Sequence, residues 1–314
     1  PISWGTIGGR TDFYMWKPVF LDYSYNFAVR NFRHGSFGNI TKIDNTRQVK
    51  NSESFFSVAA GMPLAHRGVF LIRANGGHVN YRYDSDELFA DDTDHSRYSF
   101  FGIKAELARN TLDKFLYPRR GSDLKLSGIF VTGRDKYEPF DAEKFLSRTS
   151  RQWVGARLTW DKYFDMPGCS WFSLGLNVDG VITNHPEFTT EGATVMSMPA
   201  YEPVPHAQMI YMPDFRGKRF AAGGVMPTFD LMPNFFLRTG FYAMFREKRS
   251  FVPGVSGPVE DKRWHYIAEA SLVYHTPIGP VSLALTKYDL RNWKNMYLTF
   301  NFGYAIFAPK GTFY

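Results

Sequence analysis

The sequence predicts an all-β fold, a closed antiparallel transmembrane β-barrel of about 14–16 strands with a long lumen-inserted loop. Three observations carry that expectation. Apolar residues alternate strictly over long runs, such runs recur along the chain, and aromatic residues make up 18% of it while the mean hydropathy stays negative at −0.30. Alternation with period two gives a strand one apolar and one polar face. Near the C-terminus Met296, Leu298, Phe300, Phe302, Tyr304 and Ile306 share one face, and Thr299, Asn301, Gly303 and Ala305 share the other. Soluble strands usually span about 5 or 6 residues, whereas a tilted crossing of a bilayer's apolar core takes about 9 to 11. Only a closed barrel makes that crossing with strands and leaves no backbone N–H or C=O unpaired in lipid.

In chain order, the first candidate strand lies within 2–17. The row Val19, Leu21, Tyr23, Tyr25, Phe27 and Val29 follows, set against Asp22, Ser24, Asn26 and Arg30. A stretch over 34–43 and less even segments at 54–64, 68–83, 97–109 and 122–134 come next. Val154, Ala156, Leu158 and Trp160 then face away from Arg157, Thr159 and Asp161, and Phe172, Leu174, Leu176, Val178 and Ile182 face away from Ser173, Gly175, Asn177, Asp179 and Thr183. Segments 219–231 and 235–247, the row Tyr266, Ala268, Ala270, Leu272 and Tyr274, segment 280–289 and the final row complete the set. These amount to about 13 or 14 strands, and an even number is the natural closure of a single-chain barrel.

No run of about 18 apolar residues occurs, so a transmembrane helix is excluded. Aromatic girdles at the two interfaces account for the aromatic load. A soluble β-sandwich would show the same alternation with the apolar face turned inward. The formal charge is +7, but Lys and Arg are scattered over turns and loops, which fits a solvated rim facing lipopolysaccharide rather than nucleic-acid binding. Outer-membrane lipid and lipopolysaccharide are thus the expected surroundings, in the bacterial outer membrane. The single cysteine, Cys169, stands in a Pro-Gly-Cys turn with no partner for an internal disulfide. The chain opens on Pro1 without a signal peptide, so residues 1–314 read as one barrel domain, the C-terminal part of a longer polypeptide.

Barrels of this kind alternate tight periplasmic turns with long extracellular loops. Residues 165–168, 232–234 and 276–280 read as tight turns, and 84–96, 134–150, 185–218 and 247–262 as long connections. The longest, His185 to Lys218, exceeds what a passive loop usually needs.

That loop ends in Asp214-Phe215-Arg216-Gly217-Lys218-Arg219-Phe220, and its Arg-Gly pair ahead of the fifth strand from the C-terminus resembles the lumen-inserted loop of the BamA-like superfamily of outer-membrane insertases and two-partner transporters. Asp113, Tyr117, Pro118 and Gly121, within Asn110–Gly121, resemble the same superfamily's periplasmic turn. Within it, Tyr201-Glu202-Pro203-Val204-Pro205-His206, Phe215-Arg216, Ala222-Gly223-Gly224 and Asn234-Phe235-Phe236-Leu237-Arg238 look most like the C-terminal barrels of patatin-like phospholipases from Bacteroidota. That resemblance implies an upstream lipase domain with a small linker domain, and a barrel that anchors or translocates it. An insertase for other outer-membrane proteins and a porin-like channel are the alternatives. Asn301, Gly303 and Ile306 resemble the polar-x-Gly-x-x-apolar signal read by the outer-membrane assembly machinery, with a tail from Ala308 to Tyr314 behind it.

A guanidinium carried into a lumen needs a carboxylate. Asp230, in the strand after the loop, is the expected partner of Arg216, pinning the loop inward as a plug. The following strand offers Ala243 where the insertases offer a second acid, and Lys218 stands where an aromatic usually follows Arg-Gly. For catalysis the chain offers little. It has no Gly-x-Ser-x-Gly, its Asp179-Gly180 lies within a strand, and its eight histidines lack metal-ligand spacing, so neither cofactor nor metal is expected. His265 and His275 fall on the lumen face of the alternation, and Ser271 between them is the nearest candidate for a barrel-wall hydrolase, with lumen lining as its ordinary role.

Overall fold

A computed structural model describes residues 2–14, 18–33, 48–84, 93–138, 147–166, 168–169, 171–189, 191–204, 207, 212–247, 263–288, 296–303 and 310–312. Thirteen strands account for most of them: β1 (Ile2–Tyr14), β2 (Pro18–Arg33), β3 (Gln48–Leu64), β4 (Gly68–Asp84), β5 (Thr93–Asn110), β6 (Gly121–Glu138), β7 (Ser147–Asp165), β8 (Phe172–Thr183), β9 (Arg219–Met232), β10 (Phe235–Arg246), β11 (Trp264–Thr276), β12 (Gly279–Tyr288) and β13 (Met296–Phe302). One short helix, α1 (Glu191–Ser197), lies in the loop between β8 and β9. All thirteen strands form one sheet in strict chain order, each antiparallel to its neighbours. In line with the 13 or 14 rows read from the sequence, thirteen strands thus lie among the described residues. The strand expected over 34–43, and the extension of the last row to Tyr304 and Ile306, lie outside them.

The rows read from sequence face outward. Phe27, Phe56, Phe101, Phe130, Phe241 and Phe300 are exposed, while Trp153, Tyr242, Ser271 and Thr286 on the opposite faces are almost wholly buried. A sandwich would bury the first set. Cross-strand registers stack the outer residues into a continuous apolar band, with Ala74 beside Ile103, Ile103 beside Phe130 and Phe130 beside Val154. Strands β2 to β7 run to 16–19 residues, ample for a tilted crossing.

The sheet curls so that its inner face meets itself through what lies between. Tyr117, between β5 and β6, reaches Ser282 on β12, and Gly311 reaches Glu53 and Asn75 on β3 and β4. The tight turns expected over 232–234 and 276–280 are present, with Asn234 and Gly279 in the left-handed region at φ 62° and 135°, and Pro167 of the third lies outside the described residues. They stand at the opposite end of the sheet from the long connections.

Ile103, in mid-band on a central strand and 42% exposed, measures the lipid contact directly. An Ile103→Arg substitution is expected to destabilise the barrel in phospholipid vesicles by about 2–4 kcal/mol. Unfolding with urea checks this; a change near zero would place this face away from hydrocarbon.

Candidate functional site

The strands' inner faces carry charge, and the connection between β8 and β9 folds in among them. Pro186–Thr189 and Glu191–Tyr201 cross the lumen from wall to wall. Phe188, Ala193 and Met196 pack with Phe55, Val79, Tyr81, Tyr98, Val131 and Trp153 of β3–β7. Tyr201, Val204, Met212 and Phe215 pack with Tyr163, Phe220, Met226, Tyr242, Met244, Ile267 and Tyr288 of β7–β12. The inward-folded loop is thus a plug with an apolar core of its own. His185 at its start lies 4.5 Å from the Trp153 ring centroid, and burial pushes its pKa down to about 3, so it stays neutral.

Polar pins hold the plug to the wall. Thr189 donates from its backbone N–H and its hydroxyl to Asp135 Oδ2 on β6, both at 2.9 Å. Tyr201 donates its hydroxyl to Asn177 Oδ1 at 2.7 Å. Arg157 on β7 makes a two-pronged pair with Asp179 on β8, Nε to Oδ1 at 3.1 Å and Nη2 to Oδ2 at 2.6 Å, and Nη2 also donates to the loop carbonyl of Ala200 at 3.1 Å. A planar fork suits this triple contact; an ammonium does not.

The Phe215-Arg216-Gly217 motif sits inside, as expected of a lumen loop, but its partners differ from the expectation. Arg216 donates Nη1 to the carbonyls of Met196 and Met198 at 2.8 and 3.2 Å. The backbone closes the same fold, with Tyr201 N–H to the Phe215 carbonyl at 2.9 Å and Gly217 N–H to the Pro199 carbonyl at 3.1 Å. Arg216 ties the two ends of the plug together. Phe215 meets the rings of His265 and Tyr288 edge-on. Asp230 cannot reach this group. It lies eleven residues along β9 from Arg219, about 36 Å by strand rise, at the turn end. There it pairs with Arg119.

Arg119 belongs to the second seal. Between β5 and β6, residues 111–120 fold across the turn-end mouth. Asp113 Oδ1 accepts from the N–H groups of Arg119 and Arg120 at 3.0 and 3.2 Å. Tyr117, at φ 54°, turns its buried ring inward to meet Phe236 and donates to Ser282 Oγ at 2.9 Å. Pro118 is buried beside it. Gly121 has φ 97°, and a Cβ there would come within 2.2 Å of the Thr111 carbonyl oxygen, so the motif's glycine is dictated by backbone approach. The four motif residues thus build one strut.

A third segment enters from the C-terminus. Lys310 Nζ lies 3.1 Å from both carboxylate oxygens of Glu202 in the plug. Gly311 donates its N–H to Glu53 Oε2 at 2.9 Å and accepts from Asn75 Nδ2 at 2.9 Å, while Glu53 also pairs with Arg30. Burial alone would raise the Glu202 carboxyl, but Lys310 and Arg216 outweigh it and hold it below the usual carboxylate range. Ahead of this segment, Asn301 bonds Ser282 Oγ at 3.4 Å and Gly303, at φ 80°, ends β13; Ile306 lies outside the described residues.

Ser271 is fully buried on the inner face and donates to Glu269 at 2.5 Å, so it faces the lumen and not the outer wall that a barrel-wall hydrolase would need. Sequence reasoning placed Arg157 and Asp179 on polar faces without pairing them. The signal was available, since the β7–β8 hairpin register sets Arg157 diagonally from Asp179.

No known family profile and no curated protein matches the sequence. Among solved structures, BamA from Haemophilus ducreyi lacking POTRA domains 1–3 superposes with a TM-score of 0.60 at 12% identity, over 95% of this chain and 60% of that one. CdiB from Acinetobacter baumannii aligns with a TM-score of 0.43 at 8% identity, over 94% of this chain and 58% of that one. The class of protein is therefore a transmembrane β-barrel with an occupied lumen. Its fold is that of the BamA barrel, and the chain spans about three fifths of the BamA structure it resembles.

Two outcomes test the plug. Arg157→Ala and Asp179→Ala should each loosen it by about 3 kcal/mol, since either strands a buried charge. Single-channel conductance and protease access to 185–204 should rise in both, with the double variant little worse than either; additive effects would show that the pair does not act as a unit. A carboxyl held below its ordinary value stabilises above that value and stops doing so as pH falls through the lowered one. Conductance should therefore rise in acid, below the usual Glu range, whereas Glu202→Gln should start high and stay flat; an identical acid response in Glu202→Gln would remove Glu202 from the latch.

Proposed function

We propose that the chain is the outer-membrane barrel that anchors or translocates an attached patatin-type lipase domain, and that it forms the C-terminal part of a longer polypeptide. One observation carries the reading. Among the described residues the lumen holds Pro186–Thr189, Glu191–Tyr201 and Lys310–Thr312 and is spanned at its turn end by 111–120, an occupied interior that suits a seat better than a pore. This counts against a porin. The motifs at Tyr201–Pro205, Phe215-Arg216, Ala222–Gly224 and Asn234–Arg238 support the lipase association by resemblance. Outer-membrane lipid and the assembly machinery that reads Asn301, Gly303 and Ile306 are the partners this role requires.

An insertase role for other barrels is favoured by a different feature. Among the described residues, no ladder joins β13 to β1.

The two readings separate on the natural polypeptide that carries this barrel. Purified from membranes, it should exceed 314 residues and release fatty acid from phospholipid vesicles, and a serine-directed fluorophosphonate should abolish the release. A polypeptide whose additional part is inert toward phospholipid, yet whose depletion empties the membrane of other barrels, would give the insertase reading instead.

A further inference from the structure

Above the apolar band, the outward faces of β4–β7 turn basic. On β6 the outward residues run Leu124, Leu126, Gly128, Phe130 and Thr132, then Arg134, Lys136 and Glu138. From Leu124 to Arg134 is ten residues, about 33 Å along the strand and about 25 Å along the membrane normal at a typical tilt, which is the height of a barrel's apolar belt. Arg134 thus stands at the belt's upper edge, at the end of the sheet that carries the long loops. Long loops mark the extracellular side.

The cross-strand register gathers further cations at this level. Arg97 on β5 lies directly opposite Lys136 on β6, and Lys136 directly opposite Arg148 on β7. Three like charges in one row place neighbouring Cβ atoms about 5 Å apart, an arrangement that is destabilising in the absence of anions. Arg82, diagonal to Arg97, adds a fourth, and Arg97, Arg134, Arg148 and Arg82 are all exposed. Among the described side chains on this face the one carboxylate is Glu138, held by Lys136. The other half of the barrel differs. Its outward loop-end positions include Phe245, Trp264 and Tyr266.

We propose that Arg97, Arg134, Lys136 and Arg148 form a binding face for the phosphate groups of a phosphorylated glycolipid of the outer leaflet, of the lipid A type. Its acyl chains lie against Phe101, Ile103, Phe130 and Val154 directly below. Charge complementarity selects the anion. Guanidinium forks donate pairs of N–H groups to phosphate oxygens, so phosphate between its members relieves the repulsion along the row. Position selects the lipid, because the cations begin where the apolar band ends, at the depth of the headgroups. The inference rests on the outer-membrane placement of the barrel and not on any attached lipase.

The test uses the full chain, folded in neutral detergent and titrated with bisphosphorylated lipid A by native mass spectrometry. Removing Arg97, Arg134 and Arg148 together as Gln should weaken binding about tenfold or more. A control with equal charge loss at the turn end, Arg109→Gln, Arg120→Gln and Lys162→Gln, should stay within about twofold. Lipid A stripped of its phosphates should bind the wild type as weakly as the intact lipid binds the first triple variant. Heat-modifiable gel migration of every variant reports the barrel separately, so a failed barrel and a failed binding face are distinguishable. Equal losses in the two triple variants, undiminished binding of the stripped lipid, or displacement by inorganic phosphate at the lipid's own concentration would each overturn the proposal.

Discussion

Everything in this structure follows from one constraint: inside a bilayer the backbone has no water to bond. Each N–H and C=O of a crossing strand must find another strand, and the meander of antiparallel ladders from β1 to β13 pairs each strand with neighbours adjacent in sequence. Period-two alternation then gives every strand one lipid face and one lumen face. Residues such as Phe130 and Leu158 go outward because lipid accepts them at no cost, and Arg30, Glu53, Arg157, Asp179 and Glu269 go inward because lipid does not.

An inner face built this way creates a second problem, since charges turned from lipid are not thereby solvated. The chain answers with pairs: Arg30 with Glu53, Arg157 with Asp179, Arg119 with Asp230 and Lys310 with Glu202. Pairs of this kind contribute little net stability over an apolar replacement, but they fix geometry, because a one-residue slip would strand both partners. Arg157 shows this at one atom, Nη2, which is shared by an acid on the wall and the Ala200 carbonyl of the plug. Wall register and plug position are thereby set together.

The strands were legible in the sequence because their signal is local and repeated. The rows at Val19–Val29, Phe172–Ile182 and Tyr266–Tyr274 land on strands with the expected face outward, since lipid imposes the same pattern at every turn of the meander. The inward loop was also legible, from its length and the Phe215-Arg216-Gly217 tip. Its partners were not. Pairing Arg216 with Asp230 treats closeness in sequence as closeness in space, but β9 carries Asp230 to the other end of the barrel. Arg216 instead satisfies carbonyls of its own loop, a partner class invisible to any search for opposite charge. The Glu202–Lys310 contact spans 108 residues and depends on the curl of the whole sheet, so no local pattern announces it.

The lumen contents also brace the sheet in its curl. Contacts across the lumen add to the ladders in fixing that curvature. The plug supplies them, with one flank in the β3–β7 cluster and the other in the β7–β12 cluster. The Tyr117 strut joins β5–β6 to β12 below, and Gly311 joins the C-terminus to β3 and β4 above. The Asp113 bonds of the strut are local and can form with its own hairpin, whereas its Tyr117–Ser282 bond and the plug need β6 and β12 to face each other, and the Lys310 contact needs the plug in place. Loop-closure entropy therefore falls on elements in that order, each reducing the freedom left to the next. A barrel held this way is braced by its filling as well as by its hydrogen bonds, so loosening the plug also loosens the wall register that Arg157 pins to it.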